Sequence, residues 1–383
     1  MFDTRASRRK FMALATATLL AGCKVIPTAP EPKPAPAPTP SETLPVDQQR
    51  HRIALLVPLS GTNAAVGQGI ANATTMALLD TNAQNIRITT YDTSTDPAGA
   101  ARRAVQDGNK LILGPLLPDE VPAIVAVTRP AKIPLITYGN DAGVASRDVF
   151  VMGTVPAGAI DRVVRYSYAQ GSRRFALLYP AGDYGARAKA AYAQSVGAVG
   201  GTLVAAESYE RSNTSIVSAA HRIKAKGGVD AVLIADSGRF AAMAAPQLKK
   251  AGGSGPRILG TELWSGETVI TATPALQGAW FAAISDTRFR QFSESYKARF
   301  GSAPYRLATF GYDSVLLTVR IARDWKPGTP FPVARLTDAG GFLGLDGPFR
   351  FAPTGIGERA LEVREVRKGG VSIINAAPTK FVD

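Results

Sequence analysis

The stretch from Arg52 to Leu79 constrains this chain more than any other. Ile53, Ala54, Leu55, Leu56 and Val57 form an unbroken apolar run, which suits a strand buried on both faces. Pro58 ends the strand because it has no amide to donate to a ladder. A polar turn, LSGTNAAVGQG, follows, with Ser60, Thr62 and Asn63 as side-chain hydrogen-bonders and Gly61, Gly67 and Gly69 allowing tight backbone paths. From about Ile70 the residues are helix formers, with apolar positions at Ile70, Ala73, Ala77 and Leu78. Strand, turn and helix in this order open an α/β sheet, whose ligands bind at the carboxyl ends of strands. The turn reads either as a structural βα connection or as the lining of a pocket. The glycine spacing matches neither G-x-G-x-x-G nor the P-loop, so no nucleotide site is expected.

The same alternation continues down the chain. Strands are expected at Ile86–Asp92, Leu111–Leu113 and Pro134–Tyr138, separated by helices at Pro97–Gln106 and Asp119–Val127. After Val155 the pattern restarts. Helices at 159–170, 185–196, 215–225 and 240–251 alternate with strands at 174–179, 202–208, 231–235, 258–261 and 279–283. Helices at 289–300 and 308–324 follow, then β-like pieces at 347–351, 361–366 and 371–374. The fold class is therefore α/β, with two doubly wound lobes that look like two versions of one unit.

The first 50 residues are a different matter. Residues 1–22 read as an export signal: Arg5, Arg8, Arg9 and Lys10 precede an apolar run from Phe11 to Ala21, too short to span a bilayer. The run closes in Leu20-Ala21-Gly22-Cys23, which resembles the lipobox of bacterial lipoproteins and implies lipidation at Cys23, the only cysteine of the chain. Ser7-Arg8-Arg9-Lys10-Phe11-Met12 also resembles a twin-arginine signal, so the export route stays open. Lys24 does not match the aspartate that retains such lipoproteins at the inner membrane, so the resemblance implies the outer membrane. Residues 23–50 then form a lipid-bearing, Pro- and Ala-rich tether that cannot bury a core. At ~3.1 Å per residue its extended reach is roughly 80 Å.

A chain of 383 residues with 45% hydrophobic content can bury two cores. Its formal charge is +14, of which the signal segment holds +3, leaving +11 for the rest. That balance favours anionic surroundings. The basic residues are scattered and not interleaved with aromatics, so no nucleic-acid partner is expected. A lone cysteine and two distant histidines, His51 and His221, give no metal set, and no cofactor is implied. Neither histidine has a Ser/Asp partner in pattern, and neither G-x-S-x-G nor H-E-x-x-H occurs, so no enzyme is expected.

Taken in order, the frame PLSG…G…G, a GP-type turn, the strand IPLI, LLYPAGDYG and the closing GLDGPFRFAPTG resemble the type I periplasmic binding proteins of the leucine-binding branch, from Arg52 to Ile374. Within that branch LLVPLSG together with LILGPLLPDEV is similar to the lipoproteins called penicillin-binding protein activators, which stimulate peptidoglycan synthases from the outer membrane. The resemblance implies three crossings between hinged lobes, with lobe one at 51–155 plus 284–338 and lobe two at 156–283 plus 339–383. It implies a bifunctional peptidoglycan synthase as partner; the alternative is a solute-binding protein of an ABC transporter for an amino acid or amide, with a small ligand in the inter-lobe cleft.

The resemblance also points to cleft residues. Amino-acid binders hold the ligand carboxylate with hydroxyls and amides of the turn that here reads Gly114 to Glu120, including Leu116. Pro118 stands about where a hydroxyl residue is expected and brings neither hydroxyl nor N–H. The next turn, Tyr138-Gly139-Asn140-Asp141, places an acid where an anion should sit. Both departures count against an α-amino acid. Against them, Asp183-Tyr184 matches the lobe-two aromatic, and Glu262 matches the acid that holds a ligand ammonium, with Trp264 beside it. Tyr184 and Trp264 can equally be packing residues, and Glu262 a solvated loop acid. Asp236 and Ser237 end a lobe-two strand toward the same crevice, and Asp313 reads as structural.

Overall fold

The computed structural model describes residues 50–249 and 253–381. The expectations for the signal, Cys23 and the tether lie outside the described residues, except for Arg50 at the tether's end. Lobe one begins with β1 (His51–Val57), α1 (Ala64–Thr81), β2 (Ile86–Asp92), α2 (Pro97–Gln106), β3 (Leu111–Leu113), α3 (Val121–Thr128), β4 (Leu135–Thr137) and β5 (Val149–Val151). Its five strands run in the order β2-β1-β3-β4-β5, all parallel. The central strand β1 alternates between two cores: Ile53, Leu55 and Val57 face one, Ala54 and Leu56 the other. That two-sided burial is why its sequence is continuously apolar.

The helix α1 starts six residues earlier than the sequence suggests. Gly67 and Gly69 lie within it, because a side chain at Gly67 would strike the Pro58 carbonyl where helix and strand end meet. By contrast α2 starts where expected: the Asp96 carboxylate accepts the Gly99 amide at 2.7 Å and Pro97 supplies the preset first turn.

Lobe two comprises α4 (Pro156–Ala169), β6 (Arg174–Pro180), α5 (Asp183–Ala198), β7 (Thr202–Tyr209), α6 (Ser215–Lys226), β8 (Ala231–Ile234), α7 (Gly238–Leu248), β9 (Arg257–Gly260), the short α8 (Thr268–Ala272) and β10 (Trp280–Ala283). The chain then contributes α9 (Thr287–Phe300) and α10 (Ala308–Ala322). Gly311 in α10 allows α1 to approach, since a side chain there would meet the Ile70 carbonyl. A three-stranded antiparallel sheet follows, of β11 (Phe342–Gly344), β12 (Gly347–Phe351) and β13 (Gly357–Arg359). The last pair, β14 (Glu362–Arg367) and β15 (Gly370–Asn375), completes a seven-stranded sheet in the order β15-β14-β10-β9-β8-β6-β7.

This fixes the third crossing after Arg359, and corrects the boundary expected near residue 338. Phe342, Phe349 and Phe351 are buried with Ile53 and Phe310 in the lobe-one core, and Val151 receives a bridge from Ile356. Only from β14, which pairs antiparallel with β10, does the chain rejoin lobe two. Burial of these three phenylalanines in the lobe-one core decides the matter. Asp313 is structural, as read: fully buried on α10, it accepts the Leu345 amide at 2.6 Å and so holds the β11–β12 turn. Near the second crossing, Asp286 takes Arg306 at 2.7 Å and Arg364 at 2.8 Å, one from each lobe. Among the described residues no helix is long and apolar enough to cross a membrane.

Candidate functional site

At the carboxyl end of the lobe-one sheet the hub is Asp92, the last residue of β2, which the sequence reading missed. Its carboxylate accepts the Leu59 amide at 2.8 Å, the Ser60 hydroxyl at 3.1 Å, and both the amide and hydroxyl of Ser94. These bonds, the Leu59 amide first, hold the carboxyl down at about 2. Ser60 therefore belongs to this network and stabilises its own turn. Thr62 is exposed beside it, and Asn63 precedes α1 without a side-chain cap bond. The signal for Asp92 was present as a strand-ending aspartate before Thr93 and Ser94.

The next two turns differ from the expectation. Leu116 and Tyr138, both expected in the cleft, are core residues. Leu116 packs into the lobe-one cluster, and Tyr138 is 2% exposed, hydrogen-bonded to Ser314 at 2.9 Å and stacked on Phe310. Strand-end apolar residues bury wherever the layer above them closes, and here α10 closes it. Asn140 is exposed, and the Asp141 carboxylate accepts the Gly143 amide at 2.9 Å within its own turn. Pro118 opens a short 3-10 turn that runs to Glu120. The Glu120 carboxyl, which closes the turn named from the sequence, has a buried, unpartnered Oε2 and is pushed up to about 7 by burial.

Lobe two brings more of the expected residues together, at the carboxyl ends of β6, β7, β8 and β9. Asp236 is 3% exposed and accepts from both nitrogens of the Arg211 fork at 2.9 and 3.1 Å, from the Tyr209 hydroxyl at 2.7 Å and from the Ser237 amide at 2.8 Å. The Arg211 guanidinium also lies over the Tyr184 ring, 5.3 Å from its centroid. The Tyr184 hydroxyl is buried and unpartnered, and its pKa is raised by burial and by the charge of nearby Glu262. Glu262 opens a 3-10 turn after β9, and its Oε2 is likewise buried without a partner; burial pushes the carboxyl up to about 7.

Trp264 is not a ligand contact. It is fully buried in the lobe-two core, donates to the Asp236 carbonyl at 2.9 Å and packs over Gly260 and Phe281. Ser237 is half-buried at the start of α7, and Asp183 is exposed on the first turn of α5. Arg211 and Tyr209 were missed because their role depends on β7 lying beside β6, which no local pattern encodes. His51 lies at the opposite, amino end of β1, and His221 is exposed on α6, so neither reaches these clusters.

Chemically, the lobe-one rim commits Asp92, Ser60, Ser94 and Asp141 to its own loops and leaves Glu120 with an unpartnered oxygen. The lobe-two rim offers an ion-paired arginine, a phenol and a protonatable acid. Such groups can hold a polar partner by hydrogen bonds and charge.

Comparison with known proteins agrees with this architecture. A structure from Rhodospirillum rubrum, named for branched-chain amino acid ABC transport, superposes with a TM-score of 0.75 at 23% identity, covering 85% of this chain and all of that one. Full-length LpoA of Haemophilus influenzae superposes at 0.68 with 18% identity, covering 86% of this chain and 59% of that one. Identities this low establish the fold alone. An uncharacterized Rickettsia prowazekii protein, RP748, is 31% identical over 140 residues, which span 36% of this chain and 38% of that protein. The family model described as periplasmic binding protein matches residues 51–371. With that match covering most of the chain and two lobes of mostly parallel sheet behind it, the chain belongs to the periplasmic binding protein family, in its type I form.

Proposed function

We propose that this chain is a non-enzymatic regulator that activates peptidoglycan synthases, anchored through a lipid on Cys23 at the outer membrane. The observation that carries the reading is the lobe-one rim. A carboxylate of an α-amino acid needs free hydroxyls and amides there; Pro118 offers neither, Leu116 and Tyr138 are buried, and Asp141 adds negative charge. A binding protein without that anchor is poorly suited to carry amino acids. The lipobox, the Pro-rich tether and the activator-like motifs in LLVPLSG and LILGPLLPDEV support the regulatory role, and the fold shared with LpoA is compatible with a synthase partner. In this mechanism the tether delivers a basic two-lobed head to the synthase, and binding favours the synthase's active conformation. The test is glycan polymerisation by a purified bifunctional synthase with and without the full-length protein. Stimulation and co-purification are expected. Absence of both, across the synthases of the host, refutes the role.

One observation favours a second reading. Glu262 and Tyr184 present buried, unpartnered oxygens side by side, which suits a solute bearing an ammonium or amide group. Under this reading, thermal unfolding across a panel of amines and amides shows saturable stabilisation by one of them, about 2.7 kcal/mol at a hundredfold excess over Kd. A flat panel removes it.

A further inference from the structure

Each lobe carries, at the carboxyl end of its sheet, a glutamate with a buried oxygen left without a partner. On lobe two it is Glu262, beside the unpartnered Tyr184 hydroxyl. On lobe one it is Glu120, in the turn between β3 and α3. The lobe-one glutamate also has a hydroxyl companion. Thr93 follows β2, and its amide donates to the Val57 carbonyl at 3.2 Å, which fixes it at the end of β1. Its side chain is 0% exposed and its hydroxyl makes no hydrogen bond. That hydroxyl stands close enough to Glu120 to favour the charged carboxylate. A buried polar atom left unpaired is costly, so two such atoms together mark a place that a ligand completes.

The surroundings set the sign of the ligand group. The charges that act on Glu120 are those of Asp119 and Asp92, both acids. Asp92 is already held by Leu59, Ser60 and Ser94, so it adds negative potential without needing a partner itself. An anion is repelled from this turn. A protonated amine has three N–H donors and can give one to Glu120 Oε2 and one to the Thr93 hydroxyl. On lobe two the guanidinium of Arg211 lies over Tyr184, but its fork is taken by Asp236. Glu262 Oε2 is left for a second amine.

We infer that the crevice takes a diamine, one ammonium group seated on Glu120 and Thr93 of lobe one and the other on Glu262 and Tyr184 of lobe two. The inference rests on the second reading above, that Glu262 receives a cationic solute, and adds the lobe-one half. Neither half needs the carboxylate anchor that the Pro118 turn lacks. Holding both ends raises affinity because the second contact forms at high effective concentration.

The test is calorimetric titration of the full-length protein in neutral detergent with ethylenediamine, putrescine and cadaverine, and with butylamine as the single-ended control. At least one diamine is expected to bind saturably and about tenfold more tightly than butylamine. Glu120→Gln should bring that diamine down to the level of butylamine, and Thr93→Val should weaken it several-fold. Glu294→Gln, exposed on α9, should change nothing. The Glu120 variant removes a buried, unpaired acid, so its melting temperature should stand at or above that of the parent. A lowered melting temperature would mean that Glu120 is already paired, and overturns the inference. Binding of butylamine with no diamine tighter also overturns it and leaves the second reading standing. Binding of neither kind removes both. Diamine affinity that survives Glu120→Gln, or that falls equally with Glu294→Gln through diffuse surface charge, overturns the inference as well.

Discussion

Replacing Glu262 by glutamine tests the lobe-two site through the stability of the fold. The carboxyl is displaced from 4.5 to about 7 by burial, with Oε2 unpartnered. A carboxyl whose pKa is higher folded than unfolded binds more protons in the folded state between the two values. Its stabilising contribution is therefore complete below about 4.5 and is lost as pH rises through about 7. The full displacement corresponds to at most ~3 kcal/mol. Part of the side chain keeps contact with solvent, which screens the charge, so ~1–2 kcal/mol is the expected loss at pH 8. Glu262→Gln keeps the shape and removes the ionisation. Urea unfolding followed by tryptophan fluorescence at pH 5 and pH 8 measures the difference; Trp264 in the adjacent core reports the local event. The variant should match the parent at pH 5 and exceed it by ~1–2 kcal/mol at pH 8. Parallel stability profiles for the two proteins would refute the claim that this acid is held neutral by burial. A ligand ammonium bound at Glu262 would reverse the ordering at pH 8, because the charged acid would then be paired.

Further outcomes follow from the same geometry. Gly260→Ala places a methyl inside the Trp264 indole and should cost roughly 2 kcal/mol or more, seen as a lowered melting temperature. Tyr138→Phe removes the bond to Ser314 and should destabilise by about 1 kcal/mol without changing any binding activity, since the ring lies in the core. Asp236→Ala leaves Tyr209 buried and unpaired; Arg211, half exposed, can turn to water, so a loss of ~1–2 kcal/mol is expected by denaturant titration. Cys23→Ser should move the protein from the membrane to the soluble fraction on cell lysis, and continued sedimentation with membranes would count against the lipid anchor.

Much of the fold was legible because burial writes itself into strands. β2 and β3 lie where their β-branched and apolar runs put them, and α2 starts at its Asp96-Pro97 cap. What was hidden is what tertiary contact decides. Gly67 and Gly69 look like turn residues until Pro58 and Tyr305 are placed against them. β5 has three residues and no pattern of its own, and the hairpin of β11 and β12 gives no hint which lobe receives its phenylalanines. The candidate site was less legible. Trp264, Leu116 and Tyr138 are apolar residues at strand ends, and such residues have the same sequence signature whether they line a pocket or seal a core. Tyr184, Asp236 and Glu262 did come together, while Arg211, which joins two of them, could be found only with β7 in place.

The late entry of β14 and β15 into the lobe-two sheet sets an order on the life of the chain. Strands β6 to β10 emerge from the ribosome together, yet the neighbour of β10 on its open side is made some eighty residues afterwards. Until then that side of β10 is an unzipped seam with apolar faces above and below it. A chain threaded outward from its amino end would cross the inner membrane with this seam open, and holdase chaperones that guard exposed strands in transit would find their target there. Loss of the chain from Glu362 onward would leave lobe one closed and the second sheet raw at its β10 border, a species primed for aggregation rather than a shortened working protein.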